Sequence, residues 1–501
     1  MEAKENLRGS GILLSISSLP SPYGIGTLGR EAYNFVDLLG DLKQKYWQVL
    51  PVGPTIFGDS PYQPSSGCAG NIYFIDLDKL VDEGLLEKEE ILGYNWGTDE
   101  SEIDYAALHQ NRCRILQKAF ERFDTNAQEF QDFVKKQSEW LEQYALFMTL
   151  KTDNLYKNWS EWPSEYRNPQ NGCDLKKYQK KNYNTITFWK FCQYKFFEQW
   201  EDLKNYANSK GVYIIGDISF YVGYDSVDVW AERQLFMMSA NDTPEYVAAA
   251  GPDKYSESGQ VWGNPMYDWD AMKEDNFSWW RKRMRVCREL FDIVRIDHFA
   301  GIVKAYAVPY GQDKSLSGKW FKGPGRRLVN AINEELEGVN VVADDYTSAS
   351  LLPGVKKLLA KSGWMGTKVM MFAFDGDPTN EYLPHNYTDS HVVAYIGTHD
   401  NETIVGSFSD KTDYELAYLY EYLNIENKSQ VPNALIRELY HSTAELAIVQ
   451  MQDILELGNE ARMNYPSTVG HNWRWRMTSK PHRLDNEKIA WIRNIAVVYR
   501  R

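Results

Sequence analysis

The feature that most constrains this chain is a recurring unit: an amphipathic helix, a glycine that ends it, a short β-branched run, then a polar or acidic residue. In the clearest copy Leu328, Val329, Ile332 and Leu336 fall at helical spacing, Gly338 stops the helix, and 339–343 leads to Asp344 and Asp345. Trp200, Leu203 and Ala207 lead in the same way through Gly211 into 212–216 and Asp217, and Val355, Leu358 and Leu359 through Gly363 into 368–374 and Asp375. Residues 11–18, 46–51, 292–297 and 391–400 read as further strands, seven in all, with no eighth evident.

Nearly continuous apolar strands alternating with helices predict a parallel sheet covered on both faces. A doubly wound sheet and a closed barrel both meet that condition. Acidic residues recur at the C-terminal ends of the strands, where barrel enzymes gather their chemistry, and this favours an α/β fold of the (β/α)₈ TIM-barrel type. The strand spacing is uneven. A single barrel over 1–501 is therefore expected to carry two insertions above its C-terminal face, a helical, aromatic-rich one at 52–210 and an active-site roof at 221–290.

Several function classes are disfavoured. A formal charge of -14 opposes binding to nucleic acid or to an anionic membrane, and no apolar run approaches the ~20 residues of a span. The apolar run after the charged N-terminus is too short for a secretory leader, and five scattered cysteines without a C-x-x-C pair suit a reducing cytoplasm. Gly24, Gly26 and Gly29 match a dinucleotide fingerprint, but five residues separate them from the preceding strand and the next strand ends at Pro51 instead of an acid. Nucleophile-elbow, Walker and H-E-x-x-H sequences are absent, and Asp297-His298 and His399-Asp400 lack metal-ligand spacing, so no metal is expected.

What remains is a ring of strand-end carboxylates: Asp217, Asp297, Asp344, Asp345, Asp375 and Asp400. Cleaving a glycosidic bond with retention needs one carboxylate to attack the anomeric carbon and one carboxylic acid ~5 to 5.5 Å away to protonate the leaving oxygen. Arg295 lies two residues before Asp297, on the same face of a strand, where its charge would keep that carboxylate ionised. Taken alone, the R-x-D pair reads more readily as a structural ion pair at a barrel rim; the other acids give it weight.

The ordered segments resemble the 4-α-glucanotransferases of glycoside hydrolase family 77, the amylomaltase or disproportionating-enzyme family. They include Ser18-Leu19-Pro20 with Gly24-Ile25-Gly26, Asp59-Ser60-Pro61-Tyr62-Gln63, Gly216-Asp217-Ile218, Gln260-Val261-Trp262-Gly263-Asn264, Arg295-Ile296-Asp297-His298, Thr398-His399-Asp400-Asn401 and Arg462-Met463-Asn464. The resemblance implies a barrel that transfers maltodextrin segments from an α-1,4-glucan donor to glucose or another glucan, with no cofactor. It makes Asp297 the nucleophile and Asp400 the carboxylate that holds sugar hydroxyls, with Arg295 and His399 orienting them. It implies substrate contacts from Asp217, Ser60, Tyr62 and His298, with Tyr62 under a sugar ring, and lays Gln260, Trp262 and Asn264 across the bound chain. Oligomeric state stays open.

One segment departs from the family. Its acid/base is a glutamate in a segment like Ala-Glu-Asp-Leu-Gly, whereas this chain reads Ala343-Asp344-Asp345-Tyr346-Thr347, with two extra residues before Pro353. The position falls on Asp344, shorter by ~1.5 Å, and misplacement of about 1 Å can cost on the order of 10²-fold in rate. Asp345 is expected to point to the other face. Three readings follow: a transferase working with a shortened acid, a slow or inactive glucan-binding relative, or an α-glucan enzyme of altered donor or acceptor preference.

Overall fold

The computed structural model describes residues 7–56, 58–169, 172–252, 258–478 and 484–501. Eight parallel strands lie side by side in chain order: β1 (Gly9–Leu13), β2 (Tyr46–Val49), β3 (Tyr213–Ile218), β4 (Ile293–Ile296), β5 (Asn340–Ala343), β6 (Gly366–Val369), β7 (Val392–Tyr395) and β8 (Leu446–Gln450). The sheet closes where Val342 bridges Met365, with Met365 N–H donating to the Val341 carbonyl at 2.9 Å and Ala343 N–H to the Met365 carbonyl at 2.8 Å. The fold is a (β/α)₈ barrel. β8, the strand not evident in the sequence, pairs with β7 and with β1.

Three expected strands stop well early; that at 11–18 ends at Leu13. The run at 368–374 is strand only to Val369 and then turns through Met370–Phe372. Asp375 consequently leaves the carboxylate ring: it is exposed and accepts from the Asp377 N–H and the Asn380 amide. β7 ends at Tyr395, so Asp400 rides on a turn held by Asn401, whose side chain accepts from the Thr398 N–H at 2.8 Å.

Among the described residues eight α-helices run between β2 and β3, from Leu77–Asp82 to Tyr183–Ser209. The last, 27 residues long, is also the barrel's own crossover helix; it packs Tyr206 against Tyr33 of helix Arg30–Asp41, the rings tilted by 49°, and donates from Trp200 to the Leu290 carbonyl. A four-stranded antiparallel sheet forms beside the barrel mouth, ordered Gln260–Pro265, Tyr246–Ala250, Lys304–Pro309, Lys319–Lys322. It draws two strands from the β3–β4 connection and two from the β4–β5 connection, so it extends past residue 290.

Fourteen of the 17 tryptophans are buried, which assigns most of them to the core instead of to sugar contacts. The glycine-rich 24–29 segment is likewise structural. Gly24 has φ 79°, and a Cβ there would come 2.2 Å from the Trp96 carbonyl oxygen; one on Gly26 would come 1.8 Å from the Ile16 carbonyl oxygen. Cys68, Cys113, Cys192 and Cys287 are free thiols, while the Cys173 side chain lies outside the described residues. Among the described residues no helix is long and apolar enough to cross a membrane.

Candidate active site

Three neighbouring strands, β3, β4 and β5, each deliver one carboxylate to the C-terminal mouth: Asp217, Asp297 and Asp344. Arg295, on β4, is in register with Asp217, and its side chain is only 4% exposed. Nη1 lies 2.5 Å from Asp217 Oδ2 and 3.7 Å from Asp297 Oδ1, and Nη2 lies 3.3 Å from Asp344 Oδ2. One cation serves three carboxylates. The expected partnership with Asp297 is thus the longest of the three, because the long guanidinium stem reaches across to neighbouring strands. Burial, and next the charge of Asp344, push the Asp297 carboxyl well above the usual carboxylate range, with Arg295 opposing the shift.

Asp344 is stitched to the end of β4. Its N–H donates to the Ile296 carbonyl, its carbonyl accepts from the Phe299 N–H, both at 3.0 Å, and its carboxylate accepts from the His298 N–H at 3.3 Å. His298 makes this possible with φ 49°, a left-handed conformation uncommon outside glycine. The His298 ring is boxed by Trp262 at 4.9 Å and Phe220 at 6.1 Å, and burial lowers it to about 4, so it is a neutral imidazole near pH 7. Asp345 points away, accepting from the Thr367 N–H of β6 at 2.8 Å, and burial raises it to about 6.

Across the mouth, the Tyr62 hydroxyl donates to Asp217 at 2.9 Å, and its ring stacks on His399 at 4.9 Å with planes 16° apart. Asp217 is fully buried, and its Oδ1 has no hydrogen-bond partner. Such an orphan acceptor is costly unless a ligand hydroxyl meets it. Asp400, 48% exposed, is aimed into the cleft with His399 Nε2 3.5 Å away.

The segment after β8 grips the Asp400 turn at several points. Asn464 donates to Asp400 Oδ1 at 2.6 Å, Arg462 to the Asp400 carbonyl at 2.8 Å, Asn459 to Glu402 at 2.8 Å, and the Ile404 N–H to Asp453 at 2.7 Å. These positioning residues carry no signal of their own in one sequence, apart from the Arg462-Met463-Asn464 segment. Asp453 is fully buried, and burial raises it from 3.8 to about 7. A carboxyl raised in the fold stabilises it most below the unfolded value, and that contribution is lost as pH rises toward about 7. Asp453→Asn is therefore expected to gain stability over the parent by at most about 1.4 kcal/mol for each pH unit between about 4 and 7. Parallel Tm series at pH 5 and pH 8 check this: a gap that does not widen with pH contradicts it.

The strand Gln260–Pro265, in the segment expected to roof the site, is tied down by a residue to which the sequence assigns no role. Gln63 donates to the Trp262 carbonyl at 2.6 Å and to Asn264 Oδ1 at 2.8 Å, and accepts from Asn264 Nδ2 at 3.1 Å. Asn264, 2% exposed, also donates to the Val222 carbonyl, so its side chain is spent on holding the roof. Gln260 accepts from the Trp262 indole at 3.2 Å, and the Ser60 hydroxyl accepts from the Tyr62 N–H at 3.2 Å. Gln63→Ala is expected to cost about 1 to 3 kcal/mol by stranding the Asn264 amide. It is also expected to raise KM several-fold; an unchanged Tm and KM would show that Gln63 does not tether the roof.

Among the described residues no group of three or more His, Cys, Asp or Glu side chains is placed to hold a metal ion.

Comparison with known proteins agrees over nearly the whole chain. A family profile described as 4-alpha-glucanotransferase, glycoside hydrolase family 77, matches residues 14–481. The 4-alpha-glucanotransferase of Streptococcus pneumoniae is 42% identical over 476 residues, 94% of this chain and 93% of that protein, and the one from Clostridium butyricum is 41% identical over 495 residues, 97% and 100%. Among solved structures, the amylomaltase from Streptococcus agalactiae in complex with acarbose superposes with a TM-score of 0.92 at 37% identity, covering 99% of both chains. Barrel, carboxylate cluster and end-to-end match together make this chain a member of the 4-alpha-glucanotransferase family, glycoside hydrolase family 77.

Proposed function

We propose that the chain transfers α-1,4-glucan segments between maltodextrins, or to glucose, by double displacement through a glucosyl ester on Asp297. In the first step an Asp297 oxygen attacks C1 of the bound glucose, the C1–O bond to the rest of the chain breaks, and Asp344 gives its proton to the departing oxygen. In the second, the hydroxyl of an acceptor sugar attacks C1, its proton returns to Asp344, and Asp297 leaves. Asp400 and the unpartnered oxygen of Asp217 bind sugar hydroxyls, and Tyr62 supports the ring. His399, by stacking on Tyr62, positions it.

The observation that carries this reading is the single guanidinium of Arg295 within 4 Å of Asp217, Asp297 and Asp344. It gathers a nucleophile, an acid and a hydroxyl-binding carboxylate around one side chain. Three carboxylates share one buried arginine, and double displacement needs a proton on Asp344 when Asp297 attacks. Transfer prevails over hydrolysis when an acceptor sugar, in place of water, occupies the far side of the cut. The reading extends to a reducing cytoplasm, consistent with the free thiols at Cys68, Cys113, Cys192 and Cys287.

A second reading, a slow or inactive glucan-binding relative, is favoured by one observation: the short Asp344 carboxylate rests on Arg295 and the His298 N–H, drawn back toward β4. Incubation with maltotriose separates the two. A ladder of glucose and longer dextrins is the expected result; retained binding without products would establish the second reading.

A further inference from the structure

Tyr346 stands two residues beyond Asp344, where the family segment has leucine followed by glycine. The tyrosine is 43% exposed at the rim of the mouth. Its ring lies 5.0 Å from that of Phe372, with planes inclined by 33°, and Phe372 in turn meets Tyr382 edge-on at 5.6 Å. Phe372 comes from the turn after β6, so the two rings join the β5 and β6 sectors of the rim. Tyr346 is thus backed by one aromatic ring while still showing area to water, a side chain held in place without being used up in the core.

The chemistry fixes what this area faces. Tyr62 and Asp217 hold the sugar bound to Asp297 from the β2 and β3 side, and the acid/base touches the oxygen between that sugar and its neighbour. Tyr346 follows Asp344 by two residues on the same loop, about 7 Å of chain at most, so its ring is within reach of the departing or incoming sugar on the far side of that oxygen. Glucose presents a flat C–H face that stacks on an aromatic ring, and water gains nothing from such a surface. A leucine offers no comparable plane.

We propose that Tyr346, backed by Phe372, is the stacking platform for the acceptor sugar and determines how well this chain selects a sugar over water as acceptor. The inference rests on Asp344 as the acid/base. It adds a residue that this chain carries and the family segment lacks.

α-Maltosyl fluoride as donor isolates the acceptor side, because fluoride leaves without occupying it. With glucose or maltose as acceptor, Tyr346→Ala is expected to raise the acceptor KM about tenfold and the ratio of hydrolysis to transfer by a similar factor. Fluoride release in the absence of acceptor stays within twofold of the parent, and Tyr346→Phe keeps the parent's acceptor KM. An unchanged acceptor KM in Tyr346→Ala overturns the platform. If the parent itself releases no fluoride, it is the catalytic reading that fails, and calorimetric binding of maltotetraose then decides: about tenfold weaker binding by Tyr346→Ala supports the platform, and equal binding overturns it.

Discussion

Asp297→Asn is expected to abolish transfer, with a loss of at least about 10⁴-fold in kcat, because the amide cannot form the ester intermediate on which both half-reactions depend. The fold should survive. Asp297 sits among Asp217, Asp344 and Asp400, and its carboxyl is already pushed well above the usual range by burial and by Asp344, so a neutral side chain there relieves crowding. Tm at or above the parent's, with no maltotriose turnover, is the predicted pair of results. Turnover above one part in about 10² would remove Asp297 from the role of nucleophile.

The same raised carboxyl fixes a pH dependence. Asp297 must be ionised to attack, so kcat/KM falls as pH drops through its raised value, an acid limb at higher pH than an ordinary carboxylate would give. In Asp344→Asn the neighbouring charge that raises Asp297 most is gone, and with α-maltosyl fluoride, whose leaving group needs no proton, the acid limb should move to lower pH. A limb that stays in place would mean that Asp344 does not set the Asp297 charge.

The barrel was legible in the sequence where helices end at glycine and strands end at acids, as in Gly338 before Asp344 and Gly211 before Asp217. It was illegible at β8. Leu446–Gln450 is entered from helix Val431–His441 and followed at once by helix Met451–Ile454, with no glycine or proline beside it, so its apolar residues read as part of a helical stretch. Asp375 was misjudged for the opposite reason: Met370 to Phe374 are apolar enough to extend a strand, yet the chain turns there to pack Met370 inward and leave Asp375 in solvent.

The site divides along a similar line. Asp217, Asp297, Asp344, Tyr62, His399 and Asp400 stand in motif segments, and the fold brings them to one mouth. The partners that hold them are legible only in part: Gln63, Arg462 and Asn464 stand in quoted segments without an assigned role and Asp453 stands in none, because all four act through contacts made 49 to 201 positions away in the chain. Spacing also misplaced the main partner of Arg295. An i, i+2 relation puts two side chains on one face of a strand, but an arginine stem is long enough to prefer the carboxylates of the strands on either side.

On the proposed mechanism the reach of Asp344 sets how fast the enzyme works. A glutamate there would carry its carboxyl ~1.5 Å further from β5, beyond the Arg295 and His298 contacts that now hold it, and about 1 Å of displacement is worth on the order of 10²-fold in rate. The most direct measurement is kcat/KM for maltotriose disproportionation by Asp344→Glu and by the parent, each at its own pH optimum, with Tm confirming that both are folded. A rise of about tenfold to a hundredfold is predicted; an equal or lower rate in folded protein would contradict the account of Asp344 as a shortened acid/base.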